Sequence, residues 1–211
     1  LPYKSCFSVI FVEQCKICTV DRQIQQFFFE QTLIILTTVV KRKISTMNFV
    51  LVTDLDGTLL GQQNFDFELI KSEIIKLLDS GYLLVLASSK TKGEIQSFCD
   101  ELGRSVPFIY ENGAGMENLS LFSDSEAGPN THQNPKAIKT GALLTIWERY
   151  ISLDLKTRAH FVKDMDRGAQ QVCLGIEATA LERAMNRSFS LPFTFSGTET
   201  DIQKLKHLTI T

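Results

Sequence analysis

The spacing of hydrophobic positions becomes regular from Met47 onward and predicts two kinds of element. Phe49 to Val52 is a short apolar run that ends near an acid, which is typical of a strand buried on both faces of a parallel sheet. Tyr82 to Ala87 and Val106 to Tyr110 are further apolar runs of strand length. The pattern therefore predicts three buried strands.

Between these strands, apolar residues recur at helical spacing. Asp66 is the expected N-cap of the first helix, and Gly81 is its stop. Thr91 and Glu94 fit a capping box at the start of the second helix, which ends at Gly103. The apolar positions of the two helices are Phe67, Ile70, Ile74, Leu77 and Leu78, then Ile95, Phe98, Cys99 and Leu102. Alternating strands and helices predict an α/β fold with right-handed crossovers and a parallel sheet.

Polar side chains gather where the first predicted strand ends. Asp54 and Asp56 follow it, and Gly57 and Thr58 come next. Ligands of open α/β sheets bind at the carboxyl ends of the strands. There, one carboxylate can attack a phosphoryl group, and a second can move the proton of the leaving oxygen. The backbone near Gly57 and the Thr58 side chain would donate to phosphate. A bare Asp-Gly pair, however, also marks an ordinary turn.

Two hydroxyls, Ser88 and Ser89, stand at the end of the second predicted strand. One βαβ unit after the acids, Ser88 could hold the transferring phosphoryl group opposite Asp54. Serines are also common N-caps, so the pair by itself has an alternative structural explanation.

The stretch Asp-x-Asp-Gly-Thr after an apolar strand resembles motif I of the haloacid dehalogenase (HAD) superfamily, and Ser88 resembles its motif II. Three further stretches are similar to the mannosyl-3-phosphoglycerate phosphatases, a branch of the Cof-type HAD hydrolases. They are Ser88 to Thr91 with the following Glu94 and Ile95, Pro107 to Ile109, and Glu111 to Ala114. The similarity extends from Met47 to about Met116.

This resemblance implies a HAD-like, Rossmann-like core with an α+β cap and a Mg²⁺-dependent phosphatase activity. Asp54 would be the nucleophile and Asp56 the acid/base, both at the metal. Phosphate would be held by Gly57, Thr58, Ser88 and Ser89, and the sugar phosphate by Lys90, Asn112 and Arg187. Asn112 with Gly113 could also be only a turn, and Arg187 only a solvated surface arginine. Arg187 to Phe193 resembles a cap segment of these phosphatases in which an arginine precedes Glu-Pro-Phe. Leu191 stands in place of that glutamate.

Three segments are expected along the chain: an N-terminal extension (residues 1–46), the HAD-like core (47–118) and a cap (119–211). The extension lacks glycine and precedes the first methionine, so we interpret it as an upstream segment. The family also needs a motif III lysine and a motif IV acidic pair, and neither follows the cap here. The simplest interpretation is a C-terminally truncated phosphatase. The alternatives are an inactive fragment, a sugar-phosphate binder, or a phosphatase for sucrose phosphate or another sugar phosphate.

Composition narrows the function classes. Among 211 residues, a net charge of -2 gives no electrostatic footprint for nucleic acid. No apolar run approaches the ~18 residues of a membrane span. Five cysteines at irregular spacing suit a reducing cytoplasm, although Cys15 and Cys18 could form half a zinc site or a redox pair. The expected partner is a small sugar phosphate; the sequence does not determine the oligomeric state.

Overall fold

The computed structural model describes residues 50–56, 58–60, 67–122 and 130–210. The chain divides into two compact units, one ending at Ala137 and the other beginning at Ile138. The sequence predicts the boundary between core and cap after residue 118, whereas the first compact unit extends to Ala137. The difference arises because the strand Thr131–Gln133 pairs with the sheet of the first unit. The predicted N-terminal extension (1–46), Gly57 and Asp66 lie outside the described residues.

The first unit contains a five-stranded sheet in the order β1-β2-β3-β4-β5. The strands are β1 (Val50–Thr53), β2 (Leu83–Ala87), β3 (Phe108–Tyr110), β4 (Gly115–Glu117) and β5 (Thr131–Gln133). The first three are parallel, with Thr53 opposite Leu86 and Ala87 opposite Ile109. β4 and β5 are added antiparallel. The α/β class and the parallel core are therefore confirmed, and the sheet as a whole is mixed.

Helices α1 (Glu68–Asp79) and α2 (Lys92–Leu102) connect the parallel strands. α2 begins with the predicted capping box and ends at Gly103, whose φ of 70° is the left-handed conformation that glycine adopts easily. The N-cap position of α1 is Phe67 instead of the predicted Asp66, and its side chain makes no capping hydrogen bond.

Side chains of β2 alternate between two hydrophobic clusters, as the period of a strand requires. Leu84 and Leu86 pack with the apolar faces of the two helices, whereas Leu83 and Val85 pack with Val52 of β1 and its neighbours. Leu86 is fully buried, so Leu86→Ala would cost about 2–5 kcal/mol of unfolding free energy. Because β2 is buried on both faces of the sheet, its position is fixed, and so is the position of its carboxyl end.

The second unit contains five helices and one two-stranded sheet among its described residues. They are α3 (Thr140–Tyr150), α4 (Leu153–Lys156), β6 (Ala159–Phe161), α5 (Arg167–Leu174), α6 (Ala178–Met185), β7 (Phe193–Phe195) and α7 (Glu199–Ile210). β6 and β7 are antiparallel. Trp147 packs against Phe161 and Phe193, with ring centroids 5.1 and 5.2 Å away. Extended backbone at Ile151 and Ser152 separates α3 from α4.

None of the helices in the described part of the chain combines the length and the apolar character that crossing a membrane requires.

Candidate active site

The ends of β1 and β2 bring the predicted catalytic groups together. Because Thr53 pairs with Leu86, the two strands finish side by side at the same edge of the sheet. Asp54 follows β1 directly, and Ser88 follows β2. The Ser88 N–H donates to the Ile109 carbonyl of β3 at 3.0 Å, so hydrogen bonding within the sheet extends up to this residue. The backbone that carries both side chains is therefore fixed by strand pairing.

Asp54 is a half-buried carboxylate held by local donors. Its Oδ1 accepts the Leu55 N–H at 2.7 Å, and its carboxylate also takes a hydrogen bond from the Ser88 side chain. Burial is the largest influence and raises the pKa of Asp54 to about 6, with the Asp56 charge acting in the same direction. The Leu55 N–H, the Lys90 charge and the Ser88 hydrogen bond lower that pKa. Burial therefore outweighs the local donors and the Lys90 charge in setting this pKa.

Asp56 forms an ion pair that sequence reasoning did not predict. Lys90 Nζ lies 2.9 Å from Asp56 Oδ1, and the two side chains are only 13% and 23% exposed. An amine this close to a carboxylate, shielded on most sides, is screened less than a surface pair. The role predicted for Lys90 was contact with substrate. In the structure its ammonium instead contacts the candidate acid/base, and the substrate role stays a prediction.

The loop after β2 is ordered by hydrogen bonds from its own backbone. The Lys90 N–H donates to Ser88 Oγ at 3.2 Å, and the same hydroxyl faces Asp54. Two donors from the loop after β3 reach the same segment: the Asn112 N–H to the Ser88 carbonyl at 3.1 Å, and the Glu111 N–H to the Lys90 carbonyl at 2.9 Å. Ser88 is therefore oriented on both sides, as the predicted phosphate contact needs. Ser89 lies half-buried in the same loop.

Glu111 and Asn112 both have left-handed backbone, with φ of 44° and 57°. Asparagine tolerates this conformation, but glutamate rarely adopts it, and such residues tend to occur at functional sites. Glu111 is also buried, at 5% exposure, whereas the Asn112 side chain is exposed. Sequence reasoning placed Glu111 in a stretch similar to the related phosphatases but assigned it no role in the site.

Thr58 and Arg187 each make a hydrogen bond to a neighbouring residue of their own segment. The Thr58 N–H donates to the Leu55 carbonyl at 3.2 Å, so the predicted phosphate contact would fall to its hydroxyl. Arg187 belongs to the second unit, is half-buried, and its Nη1 donates to Ser190 Oγ at 3.0 Å. It is thus more enclosed than a solvated surface arginine. Its anion-binding role is untested.

Asp54 and Asp56 are the acids available for the implied magnesium ion. Within the described ranges, no three Asp, Glu, His or Cys side chains converge on one point as a complete metal shell would. Mg²⁺ is nevertheless often bound through one or two carboxylates, with waters and substrate phosphates as its other ligands. The Asp56 charge, which adds to burial in raising the pKa of Asp54, also favours a cation. The oxygen donors present therefore fit Mg²⁺.

Residues 51–127 match the family model described as haloacid dehalogenase-like hydrolase. The chain is also similar to two proteins named glucosyl-3-phosphoglycerate/mannosyl-3-phosphoglycerate phosphatase. The one from Persephonella marina is 42% identical over 67 residues, which are 32% of this chain and 25% of that protein. The one from Methanococcoides burtonii is 33% identical over 70 residues, which are 33% of this chain and 26% of that protein.

A solved structure of a haloacid dehalogenase-like hydrolase from B. subtilis aligns with 74% of this chain and 64% of that chain, with a TM-score of 0.44 and 12% identity. This chain spans about a quarter of the length of the two curated relatives. The predicted resemblance to phosphatases of this class is confirmed for the matching stretches.

Proposed function

We propose, from the match of residues 51–127 to the haloacid dehalogenase-like hydrolases, that this chain carries the catalytic acids of a phosphatase acting on mannosyl-3-phosphoglycerate. The observation that supports it best is the placement of Asp54 beside Ser88 at adjoining strand ends, with Asp56 nearby. The names of the two relatives support the substrate class. The products would be mannosylglycerate and phosphate, formed in the cytoplasm.

Asp54 would act as the nucleophile. One of its carboxylate oxygens attacks phosphorus, and the bond from phosphorus to the glycerate oxygen breaks, which leaves an aspartyl phosphate. Asp56 donates a proton to the departing oxygen. In the second half, Asp56 takes a proton from water, and the water oxygen displaces Asp54 from phosphorus. Enzyme and carboxylates return to their starting state, and inorganic phosphate leaves.

The surrounding residues would position the phosphoryl group and offset its charge. The Ser88 hydroxyl accepts a hydrogen bond from the Lys90 N–H, which orients it. We propose that this hydroxyl donates to a phosphoryl oxygen when Asp54 becomes phosphorylated. Lys90 adds positive charge beside Asp56, 2.9 Å away. Mg²⁺ bound by Asp54 and Asp56 would supply further neutralisation of phosphate charge. Phosphate contacts by Thr58, Gly57 and Ser89 complete the proposal.

Selectivity for the sugar is assigned to Asn112 and Arg187. The exposed Asn112 amide can donate to and accept from hydroxyls, and the planar guanidinium of Arg187 suits a phosphate or a glycerate carboxylate. Sucrose phosphate and glucosyl-3-phosphoglycerate are the alternative substrates. A sugar-phosphate binder without turnover is the second candidate function, because only two acids meet at the described site.

The test is phosphate release by the purified full chain with Mg²⁺ and each of the three sugar phosphates. We expect turnover with mannosyl-3-phosphoglycerate, and loss of at least about a thousandfold in Asp54→Asn because the nucleophile is gone. Asp79→Asn, which alters an exposed acid paired with Arg104, is the matched control and should retain activity. Absence of turnover together with micromolar binding would favour the binder. Equal turnover by wild type and Asp54→Asn would refute the mechanism.

A further inference from the structure

One carboxylate, that of Glu94, joins the cap of helix α2 to the candidate site. Its Oε2 accepts the Thr91 N–H at 2.8 Å, and the Glu94 N–H donates to Thr91 Oγ1 at 3.2 Å. Its Oε1 lies 3.7 Å from Lys90 Nζ, which in turn lies 2.9 Å from Asp56 Oδ1. The Glu94 and Lys90 side chains are 10% and 13% exposed. An ammonium group therefore sits between two carboxylates, one of which is fixed by the helix terminus.

A lysine needs such support more than an arginine does. Its ammonium is a point charge on a flexible four-carbon stem, and several different rotamers of that stem can bring the ammonium near a carboxylate. The reciprocal hydrogen bonds with Thr91 fix the position of the Glu94 carboxylate. Because that carboxylate is fixed and shielded, it restricts where the Lys90 ammonium can lie. The influence of Glu94 on Asp56 passes through Lys90, which contacts both carboxylates.

We propose that Glu94 is a positioning residue that holds the Lys90 ammonium against Asp56. The inference rests on the proposed phosphatase function, in which Asp56 moves the proton of the leaving oxygen. Glu94 thereby serves two purposes with one side chain: it caps α2 through Oε2 and orients the charge partner of the acid/base through Oε1. The capping box visible in the sequence accounts for the first purpose only.

Kinetics of Glu94→Gln test the second purpose. The glutamine carbonyl still accepts the Thr91 N–H, so the cap is kept while the charge facing Lys90 is lost. We expect kcat to fall about tenfold or more, because a small displacement of a catalytic arrangement costs rate. KM should stay within about twofold, since Glu94 acts on the acid/base and not on bound substrate. Glu101→Gln, on the exposed face of the same helix, should match the wild type. An unchanged kcat in Glu94→Gln would overturn the proposal.

A double-mutant cycle tests the same linkage without any turnover, so it remains decisive if the full chain proves inactive and the proposed function fails. Glu94→Gln is combined with Asp56→Asn, and urea unfolding is measured for the four proteins. We expect the effect of Glu94→Gln on the unfolding equilibrium constant to differ about threefold or more between the two backgrounds. With Lys90→Met present throughout, the two substitutions should become additive. Additivity in the presence of Lys90 would overturn the inference.

Discussion

Replacing the proposed nucleophile is expected to stabilise the protein at neutral pH. Burial raises the pKa of Asp54 from its ordinary value of 3.8 to about 6. Between these values the folded state binds more protons than the unfolded state, so stability falls as the pH rises from about 4 to about 6. Above that range the full cost of an ionised, half-buried carboxylate is present. Asparagine keeps the shape and can still accept the Leu55 N–H, but it carries no charge.

The size of the effect follows from the shift. About two pKa units at 1.36 kcal/mol each correspond to about 3 kcal/mol, and solvent screening of a half-buried group reduces this to about 1–2 kcal/mol. Asp54→Asn should therefore gain that much unfolding free energy at pH 7.5 and almost none at pH 4. Mg²⁺ would favour the ionised carboxylate, so EDTA is included throughout.

The assay is urea unfolding followed by circular dichroism at both pH values, with Asp79→Asn as the control for the loss of one exposed acid. The control should change stability by no more than the loss of a surface ion pair does, at either pH. If Asp54→Asn is less stable than the wild type at pH 7.5, or if its effect does not depend on pH, then the charge at this strand end is compensated and the reasoning is wrong.

Three further predictions concern stability and are read from urea midpoints. Asn112→Ala should be about 1 kcal/mol less stable than Asn112→Gly, because both lose the amide but only alanine opposes a φ of 57°; equal midpoints would contradict this. Gly115→Ala should lose about 1–2 kcal/mol, because a Cβ there would overlap the Tyr110 ring, and the loss should shrink in a Tyr110→Ala background. Thr198→Ala should cost about 1 kcal/mol, because the Thr198 hydroxyl and N–H both hold Asp201 at the start of α7; a Thr198→Ser variant should recover most of it.

The parallel core was predictable because its information is local. Each buried strand is a continuous apolar run, and each intervening helix has a 3.6-residue period with a recognisable stop. Strand order then follows from short connections between neighbours. The placement of Asp54 and Ser88 needed no more than this, since both immediately follow paired strands. The second unit was less predictable, because its three-residue strands are too short to show alternation.

Long side chains and unusual backbone explain what the sequence did not show. The pairing of Lys90 with Asp56 depends on a side chain several bonds long, and its direction cannot be read from residue spacing. The antiparallel β4 and β5 were missed because β4 follows a turn whose residues, Glu111 included, adopt positive φ. The sequence offered a turn at Asn112 with Gly113, but glutamate rarely adopts positive φ, so no propensity argument would begin that turn at Glu111.

These exceptions occur together, and their location supports the assignment of the site. The raised pKa of Asp54, the shielded pair of Asp56 with Lys90, and the left-handed Glu111 all lie at or directly beyond the carboxyl ends of β1, β2 and β3. Each is unfavourable for folding taken alone. Violations that collect at one edge of a sheet are expected where the chain is selected for chemistry in addition to stability. A stabilised but inactive Asp54→Asn variant would show both requirements acting on the same carboxylate.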